Sequence, residues 1–130
     1  MEKEFRSFAV NIEKSENDMQ KGWFMNPYIQ EYITFRDLGE MVVKMDECMH
    51  HLIEKEEQGE LICCHSFRDV VFQSKPRFFY LIQILYTQHH SWQGLVAGTN
   101  RPRITFRSTL DCIRIMDQAI QGKQSRKKHA

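Results

Sequence analysis

The chain lacks the short patterns that would assign it a chemistry. Its 130 residues contain no glycine-rich phosphate loop, no paired-carboxylate motif and no HExxH, so nothing in the sequence points to a common catalytic apparatus. Charge of one sign is also missing. Lys and Arg total 18 against 17 Asp and Glu, a net charge of +1, so no global field steers the chain to nucleic acid or to a membrane, and any nucleic-acid site has to be a local patch. Uninterrupted apolar runs are only a few residues long, too short for a membrane-spanning helix. The opening MEKEFRSF is charged and has no apolar stretch of signal-peptide length, so secretion is not expected. The four cysteines show no CxxC spacing, and the adjacent Cys63 and Cys64 are poorly placed to pair with each other. Thiols of this kind fit a reducing compartment, and the expectation is cytoplasmic.

What is present is an ordinary apolar fraction (42%) and charged fraction (27%) in a chain of one-domain size, long enough to bury a core without metal or disulfide support. It also contains a repeat. Residues 33–49, ITFRDLGEMVVKMDECM, return without a gap at 104–120 as ITFRSTLDCIRIMDQAI, six identities in seventeen positions. The sequence therefore predicts a single α+β domain built from a duplicated β-β-α unit. The pseudo-repeats cover about 5–52 and 78–121, with an insert at 53–77 and a basic tail at 122–130. Four or more antiparallel strands would form one sheet, with both helices packed on one face.

Along the chain, 5–13 alternates Phe8, Val10 and Ile12 on one side and reads as a strand. Residues 14–22 would be the hairpin loop. Residues 23–25 and 28–35 read as one return strand bent at Asn26-Pro27. Asp37 with Glu40 three positions on is a capping-box-like start for a helix whose Leu38, Met41, Val42, Met45, Met49 and Leu52 share a face. Glu40 and Lys44 form an i,i+4 pair on the other side. The insert carries a polar break at 54–60 and an undecided segment at 61–73. Residues 78–88 form an almost continuously apolar strand, 92–97 and 103–107 its return. Ser108 with Asp111 starts the second helix, Gly122 is the expected stop, and 123–130 is expected to be disordered.

Several constellations could carry chemistry. Cys48, His50, His51, Cys63, Cys64 and His65, with His89 and His90, supply metal-ligand types, but adjacent residues rarely reach one ion; no metal and no cofactor are expected. Cys63 or Cys64 with a histidine lacks the loop that would hold a nucleophile and its base together. Asp46 and Asp117 recur as a symmetric pair and are expected to be exposed or capping groups. No enzyme is expected. Arg36 and Arg107 repeat at the strand–helix junction, and Arg101 and Arg103, with Arg68 and Arg77, add positive charge in the second half. With Trp92, Phe106 and Tyr86 they contain the ingredients of a nucleic-acid surface. The alternative is that they pair within the fold with Asp37, Asp46 or Asp117. Trp23, Phe24, Tyr28, Tyr86 and Trp92 are the aromatic anchors that protein interfaces favour. Trp23 and Trp92 are expected near each other on the sheet face that the helices leave open.

Ser91, Trp92, Gln93, Gly94, Phe106, Arg107, Ser108, Leu110, Ile113, Met116 and Asp117 together resemble a group of short uncharacterised bacterial proteins with a C-terminal SWQG…FRSxLxxIxxMD pattern. NPYI at 26–29 and KMDE at 44–47 are similar to the N-terminal half of the same group, while the His89-His90 turn departs from it. The resemblance implies a fold unit and no activity, cofactor or catalytic residue. The expected function is a small cytoplasmic, non-enzymatic regulatory module acting through protein–protein contacts. A homodimer and a role as an inhibitor of a host system both fit that reading. The alternative is a nucleic-acid binder using Arg36, Arg101, Arg103, Arg107 and Trp92.

Overall fold

A computed structural model describes residues 6–16, 19–64, 78–88, 91–98 and 103–128, with side chains at all of these except 14–16, 78–79, 86–88 and 121–128. Strands β1 (Ser7–Glu16), β2 (Met19–Met25) and β3 (Ile33–Phe35) precede helix α1 (Leu38–Glu57). Strands β4 (Phe78–Gln88), β5 (Ser91–Gly98) and β6 (Ile104–Phe106) precede helix α2 (Thr109–Lys128). The strands form one six-stranded sheet in the order β3-β2-β1-β4-β5-β6, and every neighbouring pair is antiparallel. The fold is α+β.

Period-two alternation sets which side of the sheet is dry. Phe8, Val10, Ile12, Phe24, Tyr80, Ile82, Ile84, Trp92, Val96 and Phe106 point one way into a single cluster. Met41, Met45 and Met49 of α1 and Cys112, Met116 and Ile120 of α2 join the same cluster, so both helices cover that one face. Each large apolar side chain withdrawn from water there contributes about 1.5–3 kcal/mol as an upper estimate. Both helices start where the sequence predicts. The Asp37 carboxylate accepts the Glu40 N–H at 2.7 Å, and Ser108 Oγ accepts the Asp111 N–H at 3.0 Å. Such caps stabilise a helix start by about 1 kcal/mol.

The register shows how the two halves correspond. β1 and β4 meet at the centre of the sheet with Ala9 opposite Leu81. Counting outward from that pair, each position on one strand has its counterpart seventy-two residues away on the other. β1 shifts register between Ile12 and Lys14, and β4 does so between Ile84 and Tyr86, again seventy-two apart. Gly22 lies opposite the first bulge and Gly94 opposite the second. A Cβ on Gly22 would sit 2.0 Å from the Asn11 carbonyl oxygen, and one on Gly94 would sit 2.0 Å from the Gln83 carbonyl oxygen. Each bulge drives its carbonyl into the neighbouring strand, and only glycine leaves room. Across the next ladder Gly22 faces Phe35 and Gly94 faces Phe106, and the Phe106 ring would lie 2.9 Å from a Cβ on Gly94.

Three expectations need correction. The return segment of each half is two antiparallel strands, β2–β3 and β5–β6, because the chain reverses between them; among the described residues each half therefore carries three strands. The first hairpin arm is also longer than expected. Pairing runs out to Glu16 opposite Met19, so most of 14–22 is strand rather than loop. Gly122 does not stop α2, which continues to Lys128. Of the insert, 61–64 is neither strand nor helix, and the rest of the undecided segment lies outside the described residues.

Candidate functional site

The face of the sheet away from the helices is organised in cross-strand rows. The central row runs Met25, Ala9, Leu81, Ala97 across β2, β1, β4 and β5. On one side of it lie Thr34, Trp23 and Asn11, and on the other Ser7, Gln83, Leu95 and Thr105. The two halves of this face differ in cover. Ala9 and Met25 are buried, and Trp23 packs against them, whereas Leu81 is 37% exposed and Leu85, at the bulge, 42%. Leu95 and Ala97 are half-buried. Trp23 rests on Tyr32, with ring centroids 4.5 Å apart and planes tilted by 46°, and Tyr32 is 45% exposed. An aromatic pair and a short apolar row thus reach solvent on one surface.

The expected site residues distribute unevenly around this surface. Trp23 lies on it. Trp92 does not: it is 1% exposed, packed in the helix-side core, and its indole N–H donates to Asp46 Oδ1 at 3.1 Å. The expected meeting of Trp23 and Trp92 is therefore overturned, because the two side chains leave the sheet on opposite faces. Phe24 is also in the helix-side core. Tyr28 is half-buried after the Asn26-Pro27 turn, where its N–H is held by Asn26 Oδ1 at 2.8 Å. Tyr86 is described in its backbone alone, and Arg101, Arg68 and Arg77 lie outside the described residues.

Among the described residues the expected site arginines do not assemble into one patch. Arg36 follows β3, while Arg103 and Arg107 flank β6, and these strands are the two opposite edges of the sheet. Five strand spacings of about 4.8 Å put roughly 24 Å between the edges. Arg36 pairs with Glu40 at 3.1 Å, and Lys44 reaches the other oxygen of Glu40 at 3.1 Å, as the i,i+4 spacing predicts for the lysine. The lysine hydrogen bond, followed by that from Arg36, holds the Glu40 carboxyl below its usual range. The intramolecular partner of Arg36 is thus Glu40 and not Asp37, Asp46 or Asp117. Arg107 borders a shallow depression with Ser108, Leu110, Asp111 and Arg114. There Asp111 accepts from the Arg114 side chain and from the Arg107 N–H. Those two bonds, the arginine side chain first, lower the Asp111 pKa.

The sulfur and imidazole groups separate as well. Burial pushes the Cys48 thiol up to about 11 and that of Cys112 to about 12. Cys63 and Cys64 are exposed, and His50 and His51 are exposed on α1. Among the described residues no group of three or more His, Cys, Asp or Glu is placed to hold a metal ion; His65, His89 and His90 lie outside them. A cleft of about 480 Å³ opens between the β2–β3 connection, the end of α1 and the segment after it. Ile29, Ile33, Leu52 and Leu61 give it apolar walls, and His51, Lys55 and Cys64 lie at its border.

The paired aspartates have a role that their spacing did not reveal. Asp46 on α1 accepts from Trp92 on β5, and Asp117 on α2 accepts from Gln20 Nε2 on β2 at 2.9 Å. Trp92 and Gln20 hold counterpart positions on their strands, seventy-two residues apart, and both are buried. Each helix thus clasps the other half of the sheet through the same bond. The repeated Met-Asp was the signal, and it marks interlocking of the halves rather than chemistry. Comparison of the chain with protein-family models, with curated proteins and with solved structures found no match.

Proposed function

We propose that this chain is a non-enzymatic binding module that engages a protein through the sheet face its helices leave uncovered. The observation that carries this reading is the exposed apolar row, Leu81 and Leu85 beside half-buried Leu95 and Ala97, with the Trp23–Tyr32 pair on the same face. Apolar side chains in a row, bordered by an aromatic pair, are the surface that protein contacts desolvate. A second copy of the chain is the first partner to test. The nucleic-acid reading is less well supported, because its described arginines, Arg36 against Arg103 and Arg107, sit on opposite edges of the sheet and Arg36 is engaged by Glu40.

The correspondence of bulges, glycines, helix caps and reciprocal aspartate bonds supports a further part of the proposal. The chain is two copies of one β-β-β-α unit, clasped by exchange of helix-to-sheet bonds. Among the described residues no helix is long and apolar enough to cross a membrane; a cytoplasmic setting and a regulatory role, such as inhibition of a host system, belong to the proposal.

Sedimentation velocity on wild type and Leu81→Glu tests the binding surface. Leu81 is partly exposed, so the variant retains the fold while placing a charge in the apolar row. Association that the substitution weakens supports the reading. Retention of a labelled oligonucleotide that disappears in Arg103→Ala/Arg107→Ala, with Leu81→Glu unaffected, replaces it with the nucleic-acid alternative.

A further inference from the structure

The four thiols fall into two classes. Cys48 and Cys112 belong to the stripes that α1 and α2 turn toward the core, and burial holds both in the protonated form. Cys63 and Cys64 are consecutive, both exposed, and both thiols rather than disulfides. Their segment is fixed at its end: the Cys64 N–H donates to the Pro27 carbonyl at 2.7 Å. Cys64 Sγ contacts the Ile62 carbonyl at 3.6 Å, and the residue lines the cleft. Two adjacent thiols are therefore presented to solvent, with Cys64 at the cleft wall and anchored by its backbone.

We propose that Cys63 and Cys64 are a modification site at which a peroxide closes a disulfide between neighbouring residues. One sulfur, as thiolate, attacks a peroxide oxygen. An S–O bond forms, the O–O bond breaks, and the departing hydroxide takes a proton to become water, leaving a sulfenic acid. The neighbouring sulfur then displaces the sulfenic oxygen as a second water and forms the S–S bond. Two thiols lose two hydrogens and one hydrogen peroxide becomes two waters. Exposure lets the oxidant arrive, and the resolving thiol is on the next residue, poorly placed for an unstrained bond but within reach once the backbone between the two adjusts. Consecutive Cα atoms are only about 3.8 Å apart, less than the roughly 4.4–6.8 Å that disulfides favour. The bond is accordingly strained and gives way to mild thiols. The strain falls on the backbone beside the Pro27 anchor, so oxidation reshapes the cleft wall.

Peptide mapping of the whole folded chain after hydrogen peroxide treatment tests this. The peptide containing Cys63-Cys64 should lose the mass of two hydrogens and regain it with dithiothreitol, while Cys48 and Cys112 stay unmodified until the protein is denatured. Cys63→Ser removes the resolving thiol, so a sulfenic-acid trap should label Cys64 in the variant at least about tenfold more than in wild type. Oxygen accumulating separately on Cys63 and Cys64 without the two-hydrogen loss overturns the proposal. So does equal trapping in wild type and variant, or oxidation of Cys48 or Cys112 at the same rate.

Discussion

Removing the Asp46 carboxylate should separate the two halves at one clasp. In Asp46→Ala the Trp92 indole N–H loses its acceptor at 3.1 Å while Trp92 remains 1% exposed. A hydrogen bond to a charged group contributes about 1.5–3 kcal/mol, and a buried donor left unmade costs about 1–3 kcal/mol. The Asp46 side chain is itself 40% exposed, so water can approach the vacated side, and the lower part of that range applies, about 1–2 kcal/mol. The measurement is equilibrium urea unfolding with the slope unchanged, so that a shifted midpoint reports stability alone. Asp117→Ala, which frees the buried Gln20 amide, should cost a similar amount. A double-mutant cycle of Asp46→Ala with Trp92→Phe should return a coupling of about 1 kcal/mol. A loss below about 0.3 kcal/mol in both aspartate variants, or no coupling in the cycle, would refute the reciprocal clasp.

Gly22→Ala and Gly94→Ala each press a methyl onto a backbone carbonyl at 2.0 Å, so each should cost about 3 kcal/mol or more and leave thermal unfolding well below wild type. Asp111 and Glu40 have folded pKa values held down by their cationic neighbours. Their stabilisation is therefore present above the ordinary carboxylate pKa and lost as pH falls through the depressed folded value. Asp111→Asn should flatten the acid limb of a stability-versus-pH curve while leaving its neutral limb parallel to wild type. In the folded protein under non-denaturing conditions iodoacetamide should label Cys63 and Cys64 and spare Cys48 and Cys112, whose thiols burial raises to about 11 and about 12; mass mapping reads the pattern directly.

Local signals carried the sequence reading where they decide structure on their own. The Asp37/Glu40 and Ser108/Asp111 starts, the Phe8-Val10-Ile12 alternation and the extent of β4 depend on neighbours within a few residues, and each appears as expected. The side of Trp92 did not follow, because its counterpart on β2 is Gln20 and not Trp23, and along β2 and β5 alternate residues face opposite sides of the sheet. The match was visible only from residue 33 onward because the offset changes there: Gly22 and Gly94 are seventy-two residues apart, whereas Phe35 and Phe106, which face them, are seventy-one apart. An ungapped match therefore loses the strands, which correspond at seventy-two positions rather than seventy-one. Gly122 resembled a stop, yet glycine inside a helix costs only about 1 kcal/mol, and the cationic residues that follow suit a helix C-terminus. Leu81 and Leu85 lie in an almost continuously apolar run, where sequence alone cannot show which side chains the helices cover.

The most direct test of the binding surface is the mass of the purified chain by light scattering at low and high salt, with the ultraviolet absorbance ratio read on the same untreated preparation. A contact made by the apolar row of Leu81 and Leu85 persists as salt rises, whereas a phosphate-dominated contact weakens steeply. The account predicts a dimer of the 15.6 kDa chain that salt leaves intact, with a protein-like absorbance ratio. A monomer carrying nucleic acid that salt strips away would contradict it.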